Sequence, residues 1–208
     1  HGYRTLAIGK MHFQSRLHHG FDTRIDTPQW LDELRLHPPA GGDHRRPWRP
    51  FFDPAAEWLN ASGLDAGLPL ESMESTYFVD RALEQLANPR DEGERPFAMV
   101  VSFYDPHSPF RFPREWKGRF AAAQFPPPRF FAGDRENQPR VFRELTDDQF
   151  RGIQAAYYTS ISYVDHEIGR LLRALNERGL DEETLVVFLS DNGYLLGQHG
   201  RLEKNCLY

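Results

Sequence analysis

The sequence contains a single cysteine, Cys206, in 208 residues. One thiol cannot form a disulfide within the chain, which excludes a fold held together by internal disulfides. The sequence also lacks an excess of basic residues, because 25 Lys and Arg against 30 Asp and Glu give a net charge of -5. Binding to a phosphate backbone needs clustered positive charge, so the composition argues against nucleic acid as a partner.

Long apolar runs are also missing. No stretch approaches the roughly 18 uninterrupted apolar residues that a membrane-spanning helix requires. The chain begins at His1 without an initiator methionine, and no helix terminator or polar tail precedes Tyr208. We therefore expect residues 1–208 to be a piece of a longer protein, shortened at both ends. The hydrophobic content of 39% and the charged content of 26% are ordinary for an α/β protein with one core.

The chain does contain an alternation of apolar runs and helical patterns. Residues 77–86 and 150–175 repeat apolar side chains at helical spacing, which predicts two helices. The second pattern follows a capping-box pair, Thr146 and Gln149, and Gly179 is placed to end it. Uninterrupted apolar runs are typical of buried strands, and they occur at 5–8, 97–103 and 184–189.

Two Pro-rich stretches, residues 23–72 and 106–139, show no sustained periodicity, so we expect irregular surface segments there. The order strand, helix, strand, helix, strand predicts right-handed crossovers between parallel strands. The predicted fold is therefore a layered α/β/α domain with a mostly parallel central sheet.

Polar residues that directly follow the apolar runs are candidates for a site, because ligands of open α/β sheets bind beyond the carboxyl ends of the strands. Lys10 and His12 follow the first run. If the strand continued, their spacing of two would place both side chains on one face. A cation and an imidazole could then bind an anionic oxygen and move a proton, as transfer of a sulfuryl or phosphoryl group requires. The alternative is a solvated lysine beside a hydrogen-bonded histidine.

His107 follows the second run and lies between Pro106 and Pro109. The prolines restrict the backbone and so fix the direction of the imidazole, which suits a general acid. A loop histidine with a structural hydrogen bond is the alternative.

Asp191 and Asn192 follow the third run, and Gly193 comes next. Their side chains offer hard oxygen ligands of the kind that calcium or magnesium binds. Calcium takes about six to eight oxygen ligands, so further carboxylates would have to come from elsewhere. Asp-Asn-Gly is also a common turn sequence, which is the alternative.

His199 and Lys204 are the last candidates. Gly197 and Gly200 permit close backbone approach around His199, and Lys204 could neutralise an anionic oxygen. The alternative for Lys204 is an exposed basic residue near the chain end. Cys206 has no neighbouring base that would make it a nucleophile. The other histidines lack metal-ligand spacing and are predicted to lie on the surface: His18, His19, His37, His44 and His166.

Together these motifs resemble the type I sulfatases of the alkaline phosphatase superfamily. Each motif is weak alone, whereas the ordered set is specific and covers nearly the whole chain. The resemblance implies that residues 1–208 are part of a sulfatase catalytic domain with an alkaline-phosphatase-like fold. The segments that carry it are Gly2-Tyr-Arg-Thr-Leu-Ala-Ile-Gly-Lys-Met-His-Phe13, His19-Gly-Phe-Asp22, Asp105-Pro-His-Ser-Pro-Phe110, Ser190-Asp-Asn-Gly-Tyr-Leu-Leu-Gly-Gln-His-Gly200 and Lys204.

The resemblance also implies a role for each candidate. Lys10 and Lys204 would contact sulfate oxygens. His12 would assist the release of sulfate from the covalent intermediate, and His107 would protonate the leaving alcohol. Calcium, in preference to magnesium or manganese, would be bound by Asp191 and Asn192. The substrate pocket would be lined by His199.

In this family the nucleophile is a formylglycine, made from the first residue of a C/S-x-P/A-x-R motif, and a preceding Asp pair completes the metal site. The motif does not occur in the 208 residues, so the resemblance implies that the motif and the Asp pair before it belong upstream and that the fragment alone is inactive. The expected substrate is a small-molecule or carbohydrate sulfate ester.

Two alternatives stay open. A phosphonate or phosphate diester hydrolase of the same superfamily would share the sheet, although Asn192 favours a sulfatase because His is the more usual partner of Asp in those metal sites. A non-catalytic homologue that binds sulfated glycans is the second alternative.

Overall fold

The structure is a computed structural model that describes residues 2–13, 17–39, 54–89 and 95–204. The chain divides into two compact units. The first comprises His1–Asp43, Gly67–Asp105 and Tyr163–Leu185, and the second comprises His44–Ala66, Pro106–Ser162 and Val186–Tyr208. Two residues that were assessed above as possible site residues, His44 and Cys206, lie outside the described ranges.

The described ranges contain short strands and helices of very different lengths. They are β1 (Arg4–Gly9), β2 (Thr23–Ile25), α1 (Thr27–Leu36), α2 (Ala55–Trp58), α3 (Glu74–Ala87), β3 (Phe97–Ser102), α4 (Asp134–Asn137), α5 (Arg140–Arg143) and α6 (Asp147–Glu177). Single 3-10 turns occur at Leu70–Ser72, Arg114–Trp116, Ala122–Gln124 and Asp181–Glu183.

The first unit contains a three-stranded parallel sheet in the order β2-β1-β3. The central strand is β1, and its residues Leu6, Ala7 and Ile8 have no exposed surface. Consecutive buried apolar residues are typical of a central strand that is covered on both faces. The strands predicted over 5–8 and 97–103 are confirmed, and with them the α/β fold class with parallel strands.

Two helices pack on this sheet within the first unit. Phe78 and Ala82 of α3 form a buried cluster with Ile8 of the sheet, and Leu171 of α6 packs against the same cluster. The apolar face of α3 therefore meets the sheet, as its helical spacing of apolar residues requires. The helix predicted over 77–86 is confirmed.

The long helix α6 has 31 residues, which corresponds to about 46 Å at 1.5 Å per residue. Thr146 N–H donates to Gln149 Oε1 at 2.9 Å, and Gln149 N–H donates to Thr146 Oγ1 at 3.2 Å, which confirms the predicted capping box. Gly179 follows its end with a φ of +63°, the left-handed conformation expected after a helix. No helix in the described ranges, α6 included, combines the length and the apolar character needed to cross a membrane.

The second unit has a core of its own. Phe110, Phe150 and Leu202 are buried in one cluster, although they come from stretches that are far apart in the sequence. The cluster therefore ties the Pro-rich segment 106–139, the start of α6 and the C-terminal residues of the described chain to one another. As predicted, most of 106–139 is irregular.

The strand predicted over residues 184–189 is wrong. These residues form no strand, and Leu185, Val187 and Phe188 are 89%, 68% and 80% exposed. A strand forms only where a neighbouring strand accepts its backbone hydrogen bonds, and no described strand pairs with this run.

The irregular segment predicted over residues 23–72 is also partly wrong. It contains β2, which supplies the third strand of the sheet, as well as α1 and α2. β2 is only three residues long, so it shows no periodicity of its own and depends on its pairing with β1.

Candidate functional site

The end of β1 positions Lys10 in the first unit. Gly9 has a φ of +107°, and a Cβ atom at this position would lie 1.8 Å from the carbonyl oxygen of Ser102. Only glycine allows β1 and β3 to approach so closely here. Directly after it, the Lys10 N–H donates to Ser102 O at 2.9 Å, and the Lys10 ammonium lies 4.8 Å from the centre of the Tyr104 ring. The loop after β1 is thus attached to the end of β3.

The argument that placed Lys10 and His12 on one face does not apply, because β1 ends at Gly9. Residues 10–12 belong to no strand, so the alternation of side chains along a strand cannot be applied to them. Lys10 is half-buried and His12 is exposed. The predicted roles of both residues stay predictions.

His107 lies in the second unit and is half-buried. Its Nδ1 atom is 2.9 Å from the carbonyl oxygen of Ser108. Because a carbonyl oxygen only accepts, Nδ1 carries the proton in this contact. The neighbouring Ser108 and Phe110 are buried, so the segment is held by the core as well as by its prolines.

Residues 194–204 fold back on themselves and are called the fold-back loop here. Leu195 N–H donates to Glu203 O at 2.9 Å, and Gly197 N–H donates to Arg201 O at 2.8 Å. These bonds pair the two arms of the loop in opposite directions. His199 therefore lies at the turn of the loop, and Lys204 lies at its open end.

The open end of the fold-back loop also adjoins the Asp191-Asn192 pair. Tyr194, which begins the loop, donates its hydroxyl hydrogen to Leu202 O at 2.7 Å. Asn192 precedes Tyr194 by two positions, and Lys204 follows Leu202 by two positions, so both residues lie beyond the paired arms. Asp191 and Asn192 are exposed.

An aromatic cluster joins the His107 segment to this open end. The rings of Phe110 and Tyr194 pack edge to face with centroids 5.4 Å apart, and Tyr157 contacts both rings, at 5.0 Å and 5.7 Å. Burial raises the pKa of Tyr194, so its hydroxyl stays protonated as a donor. Because His107 is three residues from Phe110 and Asn192 is two from Tyr194, the second unit holds these two segments next to each other.

Asp191 and Asn192 fit part of a calcium site. A carboxylate and an amide oxygen are hard donors, and both side chains are exposed rather than committed to the core. Within the described ranges, no three His, Cys, Asp or Glu side chains form a group that could hold a metal ion. Two donors are fewer than the roughly six to eight that calcium takes, as the sequence already indicated.

The fold-back loop reveals one residue that sequence reasoning missed. Asp134, 65 positions upstream, contacts Nδ1 of His199 with both carboxylate oxygens at 3.1 Å. In the sequence, Asp134 follows Gly133 at the start of a short helix, a position that signals only helix initiation.

Lys10 and His12 belong to the first unit, and the other five candidates belong to the second. The roles that the resemblance implies for these seven residues stay predictions.

Comparison with known proteins gives a consistent result. The family model named Sulfatase matches residues 1–206. A choline-sulfatase of Rhizobium meliloti is 28% identical over 96% of this chain and 41% of its own length. An arylsulfatase of Clostridium perfringens is 28% identical over 100% of this chain and 47% of its own length.

The solved structures show the fold. A phosphonate monoester hydrolase of Agrobacterium radiobacter has a TM-score of 0.73 at 20% identity, and a second one from Silicibacter pomeroyi has a TM-score of 0.69 at 21% identity. Each match covers 100% of this chain and 48% of the other chain. The chain thus spans about half the length of the proteins that it matches.

Proposed function

The chain belongs to the sulfatase family, and from this premise we propose that the full-length protein hydrolyses a sulfate ester of a small molecule or a carbohydrate. The observation that carries the proposal is the extent of the family match, because residues 1–206 include all seven candidate residues. The candidates are Lys10, His12, His107, Asp191, Asn192, His199 and Lys204.

The proposed roles of the two lysines follow from the charge that develops during the reaction. As the bond between sulfur and the alcohol oxygen breaks, negative charge grows on the leaving oxygen and on the non-bridging oxygens. Lys10 and Lys204 are proposed to bind the non-bridging oxygens. The close approach of β1 to β3 supports a fixed place for Lys10, and the paired arms of the fold-back loop support one for Lys204.

The proposed general acid is His107, which would protonate the leaving alcohol. Its Nδ1 contact with Ser108 O supports this role, because Nε2 of the protonated ring is then the atom that transfers the proton. His12 is proposed to assist the release of sulfate, and His199 to line the pocket.

Asp191 and Asn192 are proposed to hold calcium together with ligands from other parts of the protein. When bound, the ion would supply positive charge to the sulfate oxygens. The formylglycine nucleophile is expected outside residues 1–208, and residues 1–208 alone are proposed to be inactive. The hard oxygens of the Asp-Asn pair and their exposure support the metal proposal.

The test is a substrate panel with the full-length protein: an aryl sulfate, choline sulfate, sulfated sugars and a phosphonate monoester, each with calcium. We expect hydrolysis of a sulfate ester, its loss on chelation and its return when calcium is added back. Lys204→Ala and His107→Ala should each lower the rate by a factor on the order of 100 to 1,000. Lys117→Ala removes an exposed lysine of the same unit that pairs with Asp65, and it should leave the rate unchanged.

Unchanged turnover in both Lys204→Ala and His107→Ala would remove the site assignment. Cleavage of the phosphonate monoester without cleavage of any sulfate ester would instead favour the phosphonate hydrolase alternative.

A further inference from the structure

Asp134 is a nearly buried carboxylate that holds the turn of the fold-back loop through His199. The Asp134 side chain is 7% exposed, and the His199 side chain is 27% exposed. We propose that Asp134 is a positioning residue whose contact with the His199 imidazole sets the place of the fold-back loop and so of Lys204. The proposal rests on the proposed function only for the role of Lys204.

The protonation state of Asp134 determines which of the two groups donates the hydrogen bond between Asp134 and His199. The Phe131 N–H donates to Asp134 Oδ2 at 2.5 Å, and this hydrogen bond, together with His199, lowers the pKa of Asp134. The group is therefore a carboxylate at neutral pH and can only accept. It follows that Nδ1 of His199 carries the proton and donates it towards Asp134.

The turn has further attachments to the same region. His199 has a φ of +57°, in the left-handed region. The next residue, Gly200, donates its N–H to Arg129 O at 3.2 Å and accepts a hydrogen bond from Gln138 Nε2 at 2.7 Å. The segment from Arg129 to Gln138 thus holds the turn by one backbone–backbone hydrogen bond, by the Gln138 side chain and by the Asp134–His199 contact.

The arms of the loop transmit this position to Lys204. Glu203 is only four positions after His199, and the pairing of Glu203 with Leu195 leaves the residues between them little conformational freedom. Leu202, one position earlier, is fully buried in the core of the second unit. Loss of the Asp134–His199 contact would let the turn move and would shift Lys204 at the open end of the loop. A displacement of about 1 Å can cost on the order of 100-fold in rate.

The test uses three variants of the full-length protein. His199→Asn places an amide nitrogen close to the position of Nδ1 and tolerates a positive φ, so it retains the donor to Asp134. His199→Ala removes the donor. Asp134→Asn offers one neutral carbonyl oxygen to Phe131 N–H and His199 Nδ1–H in place of a carboxylate, so the charge-assisted contact with His199 is lost. Asp148→Asn makes the same change of charge at an exposed position of the same unit and is the control.

We expect His199→Ala and Asp134→Asn to lower kcat/KM for the sulfate ester by about 10- to 100-fold, and Asp148→Asn to leave it unchanged. His199→Asn should recover at least about tenfold relative to His199→Ala. The double variant of Asp134→Asn with His199→Ala should be no slower than either single variant, because the two residues act through one contact.

Two kinetic outcomes would overturn the proposal. If His199→Asn is as slow as His199→Ala, the ring acts through Nε2 on the substrate and Asp134 does not position the loop. If the losses from Asp134→Asn and His199→Ala multiply in the double variant, the residues act independently.

Hydrogen exchange tests the role of Asp134 without any substrate. If the protein cleaves no sulfate ester, the proposed function is refuted, and the exchange experiment still tests the Asp134–His199 contact. The amides of residues 195–201 should exchange faster in Asp134→Asn and His199→Ala than in the wild type, with His199→Asn protected again. The amides of β1 should not change. Equal protection of the loop amides in all variants would show that the Asp134–His199 contact does not hold the fold-back loop in place.

Discussion

Replacement of Gly200 by alanine should separate the steric and the conformational requirements of the turn in the fold-back loop. Gly200 has a φ of +63°, and a Cβ atom here would lie 2.2 Å from Cε1 of Phe130 and 2.9 Å from Nε2 of Gln138. Phe130 is half-buried and its ring is covered by the guanidinium of Arg135 at 4.1 Å, so it has limited room to move. Alanine therefore meets both an unfavourable backbone conformation and an occupied space.

The expected loss of stability is the sum of two terms. A residue with a Cβ atom in the left-handed region costs about 1–2 kcal/mol. Overpacking of a filled site costs about 1–3 kcal/mol, since the neighbouring side chains must shift. Gly200→Ala should thus lower the free energy of unfolding by about 2–5 kcal/mol.

Gly63 is the matched control, because it lies in the same unit with a φ of +60° and has no atom within 4 Å of the position of a Cβ. Gly63→Ala should cost only the conformational term, about 1–2 kcal/mol. The assay is urea unfolding of the full-length protein and both variants, analysed by linear extrapolation. Equal losses in the two variants would refute the steric reasoning.

Two further predictions concern buried hydrogen bonds. Tyr163→Phe should lower the free energy of unfolding by about 1–3 kcal/mol, because the buried Thr76 N–H lies 2.9 Å from the Tyr163 hydroxyl and would lose its acceptor. The measurement is urea unfolding, with Tyr158→Phe at an exposed site as the control. Equal losses in the two variants would contradict this explanation. Asp134 has a folded-state pKa below its ordinary 3.8, so its contribution to stability is present above that pH and is lost as pH falls through the lower value. The difference in unfolding free energy between wild type and Asp134→Asn should therefore shrink in acid, and a difference that grows below pH 3.8 would contradict it.

Local patterns in the sequence predicted the elements whose stabilising contacts are near in the chain. The capping box of Thr146 and Gln149, the apolar stripe of α6 and the terminating Gly179 involve residues within one or two turns of each other, so their geometry follows from the sequence. The buried run of β1 was equally clear, because three consecutive apolar residues need cover on both faces.

The candidate residues were also found from their positions after apolar runs and from their order along the chain. Their residue types indicated cations, proton carriers and hard oxygen ligands, and residue types are known from the sequence without a structure. The family match over residues 1–206 confirmed the family that the ordered set indicated.

Contacts between distant segments could not be predicted in this way. The apolar run at 184–189 does not say whether a strand lies beside it, and the three residues of β2 became a strand only through β1. Likewise, nothing near Asp134 in the sequence points to His199, 65 positions away. Composition and periodicity are properties of one segment, so they determined the elements and the chemical groups. Which segments meet depends on the packing of the whole chain, and the tertiary structure alone decided the partners of those groups.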